Sequence, residues 1–153
     1  MGASGMSTGA LPPAGDWIRG ISIKQPRAAC ILHGDKRIEN RPRPWPWRGW
    51  MLLHTSQQTD RAALRLPPVA RTIRGSELPT GAVIGVARLT GCHQDPDSAP
   101  PCGPWSEPGR WHLELDDVQE LPLPIPARGH LGPWKPTEDL VDQVLQQLPD
   151  LRP

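Results

Sequence analysis

The sequence predicts a small α+β domain, a β-barrel decorated by short helices, on three observations. Strand-like runs recur along the chain, at 17–24, 50–56, 82–92 and 111–121, whereas helical spacing is confined to short stretches between and after them. Glycine and proline are abundant, 15 and 21 among 153 residues, but they punctuate the apolar runs instead of forming a low-complexity tract. The length suits one ordinary domain, so a single core is expected.

Residues 1–15 (MGASGMSTGALPPAG) are small, polar and rich in Gly and Pro, too poor in apolar area to offset the entropy of ordering, and are expected to be a disordered leader before a single domain over 16–153. WIRGISIK alternates from Ile21 to Lys24 and ends at Gln25-Pro26, which reads as a strand running into a helix that tolerates Pro26 in its first turn. In that helix, through Arg27 to His33, Ala28, Ile31 and Leu32 share one face and Gly34 is the expected stop. RPRPWPWRG (41–49) must be a loop, because prolines recur every second residue. WMLLHTS (50–56) is a continuous apolar run of strand length, and TDRAALRL (59–66) predicts a helix capped by Thr59, followed by a loop to Gly81.

AVIGVARLTGC (82–92) is the clearest strand, β-branched and bounded by glycines, with Gly85 a candidate bulge. HQDPDSAPPCGPWSEPG (93–109) is irregular, and in WHLELDDVQEL (111–121) Trp111, Leu113 and Leu115 alternate with His112, Glu114 and Asp116, which predicts a half-buried strand. LPLPIP (121–126) is extended by its prolines. Thr137 caps a last helix whose Leu140, Val141, Val144, Leu145 and Leu148 make one apolar face. No internal repeat is present.

The net charge of +1 does not demand a nucleic acid, a membrane or any charged partner. Charge is nevertheless segregated: residues 19–48 carry a balance of +6 and residues 107–150 one of −6. No apolar run approaches the roughly 20 residues of a membrane helix, and the N-terminus lacks a basic region followed by an apolar stretch, so an unexported, soluble protein is expected. Three cysteines, an odd number without a paired framework, point to free thiols in a reducing cytoplasm.

Four segments carry a pattern. SIKQPRAACILHGDKRIENR (22–41) ends in the turn G-x-K-x-x-E-x-R, filled by Gly34, Lys36, Glu39 and Arg41; WRGWMLLHTS and GAVIGVARLTGC follow as strands; and the closing stretch carries R-G-x-x-G-x-W at Arg128, Gly129, Gly132 and Trp134. In this order they resemble the ASCH domain, a branch of the PUA-like barrels, over roughly residues 17–136. The resemblance implies a small PUA-like β-barrel with short decorating helices, a nucleic-acid-facing cleft beside the G-x-K-x-x-E-x-R turn, and recognition of single-stranded RNA or of a modified nucleobase. A small group of the family removes the acetyl group of N4-acetylcytidine. Its catalytic Thr falls where this chain has Glu39, and no Thr lies in 34–41, which argues against that activity here.

The residues themselves point in the same direction. Lys36 would project from a loop two residues beyond a helix-ending glycine, while Glu39 and Arg41 alternate along an extended segment, so all three can approach one cleft with Ile38 and Asn40 facing elsewhere. A lysine beside a carboxylate holds a phosphate or, once desolvated, acts as a base, and Glu39 can read an amino edge such as that of cytosine. Arg41, Arg43 and Arg48 interleave with Trp45 and Trp47, the composition of a single-strand surface on which rings stack on bases and Arg contacts phosphate. Lys24, Gln25 and Arg27, at the junction of first strand and first helix, complete the candidate nucleic-acid-binding set. Trp50, Trp111 and Trp134 are expected in the core.

A Lys, Glu, Arg trio in a small domain is equally what a paired structural network shows. The alternative function is a nucleic-acid-directed hydrolase, resembling the N4-acetylcytidine amidohydrolases or a ribonuclease, in which Lys36 and Glu39 would activate a water. His54 and Ser22 are reserve polar residues for the cleft. Cys92, His93, Cys102 and His112 include metal-ligand types, but their spacing matches no standard zinc pattern and the adjacent Cys92 and His93 would face opposite sides of a strand, so neither a metal nor another cofactor is expected. The acidic C-terminal half could also face a basic protein partner, although an amphipathic last helix packed on its own sheet shows the same pattern.

Overall fold

The computed structural model describes residues 11–96 and 102–153. They form a mixed α+β domain: strand β1 (Ile18–Gln25), helix α1 (Arg27–His33), β2 (Ile38–Arg41), β3 (Gly49–Thr59), a 3-10 turn (Ala63–Arg65), α2 (Pro67–Ile73), β4 (Ala82–His93), β5 (Trp111–Pro126) and α3 (Glu138–Gln147). The strands make one sheet in the order β1-β3-β4-β5-β2, with β1 parallel to β3 and every other neighbouring pair antiparallel.

The sheet is open, in contrast to the closed barrel expected from the sequence. β1 and β2 are its two edges and share no ladder; a side chain links them instead, the Arg41 guanidinium of β2 donating to the Ser22 carbonyl of β1 at 2.9 Å. The other side of β1 is partly covered by the closing segment, where Gly20 and Trp134 exchange backbone hydrogen bonds of 2.8 and 3.0 Å.

β3 reads as a continuous apolar run because both of its faces are covered. Trp50 and Leu52 enter one cluster with Val83, Val86 and the Leu140, Val141 and Val144 face of α3, while Met51 and Leu53 enter a second cluster with Ala28 and Ile31 of α1. Thr137 caps α3 as its sequence predicts, accepting from the Leu140 N–H at 3.1 Å. In β4 the register slips between Val83 and Gly85, at the expected bulge, and a Cβ at Gly85 would meet the Gln119 carbonyl at 2.6 Å.

Two local expectations are corrected, the Thr59 cap and the loop to Gly81. β3 continues to Thr59, so Thr59 caps no helix; its last residues are polar and exposed and carry no apolar signal. The stretch expected to loop to Gly81 holds α2, which begins at Pro67-Pro68, residues compatible with a first helical turn because N–H groups are unpaired there anyway. LPLPIP belongs to β5: beyond Glu114 that strand has no β2 partner, so its prolines leave no ladder bond unmade on that side. Residues 1–10 of the expected leader lie outside the described residues, and Leu11 and Ala14 pack against the core. No helix among the described residues is long and apolar enough to cross a membrane.

Candidate functional site

The turn after α1 sends Lys36 inward. The Gly34 and Lys36 N–H groups both donate to the Cys30 carbonyl, at 3.1 and 3.4 Å, which folds the chain back under the helix end. Lys36 is only 1% exposed; its Nζ lies 3.4 Å from Glu39 Oε1 and donates to the Ile38 carbonyl. Glu39, 6% exposed, holds Arg41 through its other oxygen at 3.2 Å. The three motif residues thus meet, as the alternation of β2 requires, but as an internal network.

Asn40 faces the other way. Its side-chain amide donates to the Trp105 carbonyl at 2.8 Å and accepts from the Glu107 N–H at 2.9 Å, so the segment Cys102–Glu107 is fastened over β2. Trp105 donates to Asp35 at 3.0 Å, and its ring centroid lies 5.8 Å from the Lys36 ammonium. A pocket of about 230 Å³ lies here, with Arg27, Lys36, Asn40 and Trp105 in its wall.

The other predicted binding residues divide into framework and rim. Gln25 is buried and structural, donating to the Pro79 carbonyl at 3.0 Å and accepting from the Ala29 N–H at 3.1 Å. Arg27 pairs with Asp60 at 2.9 Å. Trp45 is 8% exposed and belongs to the core, with the Arg41 guanidinium 5.4 Å from its ring centroid, and Trp47 is half-buried under Arg19 at 5.5 Å. Trp45, buried with Arg41 over its ring, thus offers no free stacking face, which corrects the expectation there; Trp47 has Arg19 over its ring and stays partly exposed. Trp50 and Trp134 are buried as expected, Trp111 is half-buried, and Lys24, Arg43 and Arg48 are exposed.

A larger pocket, about 390 Å³, opens where β1, β3 and the closing segment meet, lined among others by Ser22, His54, Ser56, Gln57, Arg128 and His130. Ser22 and His54 are register partners in the parallel β1–β3 pair, which brings their side chains to one face. The Ala127 carbonyl, an acceptor only, sits 2.7 Å from His54 Nε2 and fixes the ring proton there; Nδ1 then accepts from the Ser22 hydroxyl at 3.0 Å. Burial pushes the His54 pKa below its ordinary value, against the Ala127 hydrogen bond and with help from nearby His130, so at neutral pH the ring is uncharged.

No protein-family model matches the chain, and no curated protein matches it.

The R-G-x-x-G-x-W segment has a physical role in this pocket. A Cβ at Gly129 would stand 2.3 Å from Ser22 Oγ and 2.5 Å from His54 Cε1, so the backbone can approach the pair only as glycine. Trp134 packs edge-on against the His54 ring at a centroid distance of 5.8 Å, and Arg128 presents a cation on the pocket wall. Sequence reasoning named Ser22 and His54 only as reserve residues and did not place Arg128 or His130 in a site. The parallel register joining β1 to β3 was the missing information, and nothing in the local pattern of either strand encodes it. Arg41 connects the two halves, since the carbonyl it binds is that of Ser22 itself.

Proposed function

We propose that this chain is an ASCH-domain protein, its open sheet a PUA-like framework, that binds single-stranded RNA or a modified nucleobase within it. The observation that carries the reading is the Ser22–His54–Arg128 pocket. Its volume falls in the roughly 300–1,000 Å³ range of small-ligand sites, its wall offers hydroxyl and amide groups suited to a base edge, and one exposed arginine suits a phosphate. Lys36, Glu39 and Arg41 act behind it: Arg41 buttresses the Ser22 backbone, and Glu39 holds Arg41 in place.

The test is fluorescence anisotropy with a labelled single-stranded RNA across a salt series, for wild type and Arg128→Ala. Binding at low salt is expected, with weaker affinity in the variant and a salt slope reduced by about one. No binding by wild type at low salt overturns the proposal.

One observation favours a second reading, hydrolysis of a nucleoside amide. Ser22 is hydrogen-bonded to a neutral imidazole whose orientation is fixed by a third group, the arrangement that activates a hydroxyl nucleophile. Ser22 Oγ would bond to the acyl carbon as His54 Nδ1 takes its proton; that proton leaves on the amine as the C–N bond breaks, and water then releases the acid from the acyl-serine. This assigns the chemistry to Ser22 and His54 in place of Lys36 and Glu39, whose ion pair is buried. Release of cytidine from N4-acetylcytidine by wild type, lost in Ser22→Ala, would support it; no release by wild type sinks it.

A further inference from the structure

His93 is the last residue of β4 and pairs across the antiparallel ladder with His112 of β5, so the two rings stand on one face of the sheet. Asp95 lies two residues further on, and Cys102 lies on the segment returning to β5. The four side chains converge: His93 Nε2 to Asp95 Oδ1 is 3.1 Å, His93 Nε2 to His112 Nδ1 is 3.4 Å, and Cys102 Sγ to His112 Nδ1 is 3.4 Å. One ligand atom from each falls within 4.8 Å of every other.

The remaining ring nitrogens are already engaged. His93 Nδ1 is 2.9 Å from Glu114 Oε2, and His112 Nε2 is 2.9 Å from the Glu107 carbonyl. Both partners are acceptors, so these two nitrogens act as donors, and the other nitrogen of each ring, His93 Nε2 and His112 Nδ1, is turned toward Asp95 and Cys102. His112 is 1% exposed, so its ring is held away from bulk water. Asp95 is oriented as well: Oδ2 accepts from the Cys102 N–H at 2.9 Å, leaving Oδ1 directed at His93. The four donor atoms thus converge on one point, and the carboxylate and carbonyl behind the two rings are the partners that metal-bound histidines ordinarily have.

We propose that His93, Asp95, Cys102 and His112 form a zinc(II) site. The donor set of two imidazoles, a thiolate and a carboxylate suits tetrahedral zinc. Bonds of about 2.0–2.3 Å place tetrahedral ligands roughly 3.3–3.8 Å apart; three of the pairs here stand at 3.1, 3.4 and 3.4 Å and all four atoms lie within 4.8 Å of one another, so a small inward shift completes the shell. Four protein ligands close the coordination shell, which makes the site structural. Cys92, beside His93 in sequence, packs against the second apolar cluster and takes no part. The site fastens Cys102, and with it the segment whose Trp105 and Glu107 cover Asn40 and Lys36. This inference is independent of what the Ser22–His54 pocket binds.

The test is titration of the full chain, reduced and stripped with a chelator, with cobalt(II) as the spectroscopic probe. One equivalent is expected to bind, with the visible bands of tetrahedral cobalt and a thiolate-to-cobalt charge-transfer band, all abolished by one equivalent of zinc. Cys102→Ser removes the charge-transfer band, His93→Gln weakens uptake by more than about 100-fold, Glu114→Gln weakens it by about 10–100-fold, and Cys92→Ser leaves it unchanged. His93 lies at the partly exposed end of its strand, and circular dichroism checks that its variant is folded. Failure of the folded wild type to retain either metal, a cobalt spectrum without the thiolate band, or uptake indifferent to His93→Gln overturns the proposal.

Discussion

Glu39→Gln tests whether the motif network is a structural element of the fold. The substitution preserves shape and removes one charge from a carboxylate that stands 3.4 Å from the Lys36 ammonium and 3.2 Å from the Arg41 guanidinium. It leaves two cations with only a neutral amide between them. Removing one partner from a buried ion pair costs about 3–5 kcal/mol; Arg41 is partly solvated, which screens its share, so about 3 kcal/mol is the expected loss. For a domain of this size that lowers the melting temperature by roughly 6–12 °C. Lys36→Met is milder, about 1–2 kcal/mol, because Glu39 retains Arg41 and an apolar chain fills the space. The double variant should lose less than the sum of the two, since the second change removes one of the charges the first left unpaired. Urea unfolding followed by tryptophan fluorescence measures all three, with Trp45 and Trp105 beside the network as reporters. A Glu39→Gln protein within about 0.5 kcal/mol of wild type, the range of an ordinary surface change, would refute the reasoning and return the trio to solvent and to direct ligand contact.

Two further outcomes follow from the larger pocket. The His54 pKa is lowered in the folded state, so as the pH falls the unfolded chain takes up the proton first; the stability contributed by neutral His54 is complete above its ordinary value of 6.5 and is lost as the pH falls from there through the lowered folded value. Urea midpoints measured between about pH 5 and 8 should fall toward the acid side, and His54→Gln should flatten that fall; an unchanged slope would remove His54 as its source. Gly129→Ala places a methyl group 2.3 Å from Ser22 Oγ and should cost about 1–3 kcal/mol of stability together with RNA affinity. Gly103→Ala, with no atom within 4 Å of its added carbon, should change neither, and equal effects of the two substitutions would deny the crowding at Gly129.

How much of this was legible in the sequence depends on the range of the interaction that decides it. α1 with its Gly34 stop, the doubly covered β3, the Gly85 bulge and the Thr137 cap are set by residues a few positions apart, and the pattern shows them. The meeting of Lys36, Glu39 and Arg41 follows from a turn and a period of two. Their burial does not, because Trp105, some 70 positions away, supplies the cover. Trp45 sits in a Pro-flanked loop that reads as surface, yet it is buried in the apolar cluster that also holds Met51 and Leu89. The link across the open sheet is likewise long-range: a guanidinium of edge β2 bonds a carbonyl of edge β1, which no periodicity records.

The His93–His112 pair shows most directly what spacing alone leaves out. Ligand spacing identifies a metal site when its ligands lie on one local motif, as two cysteines on a hairpin do. Here the two histidines are neighbours only through the β4–β5 register, and Cys102 reaches them because the segment Cys102–Glu107 lies across the same face. The alternation that made His112 look solvent-facing was correct for the strand and wrong for the protein, since that segment covers it. The same segment closes over Lys36 and Asn40, so the cluster and the motif network share one structural element. By linkage, whatever orders that element at one end favours its order at the other. A cation held at His93 and Cys102 would therefore stabilise the cover over Lys36, and the fold would gain at the edge of its sheet the closure that its strands alone do not provide.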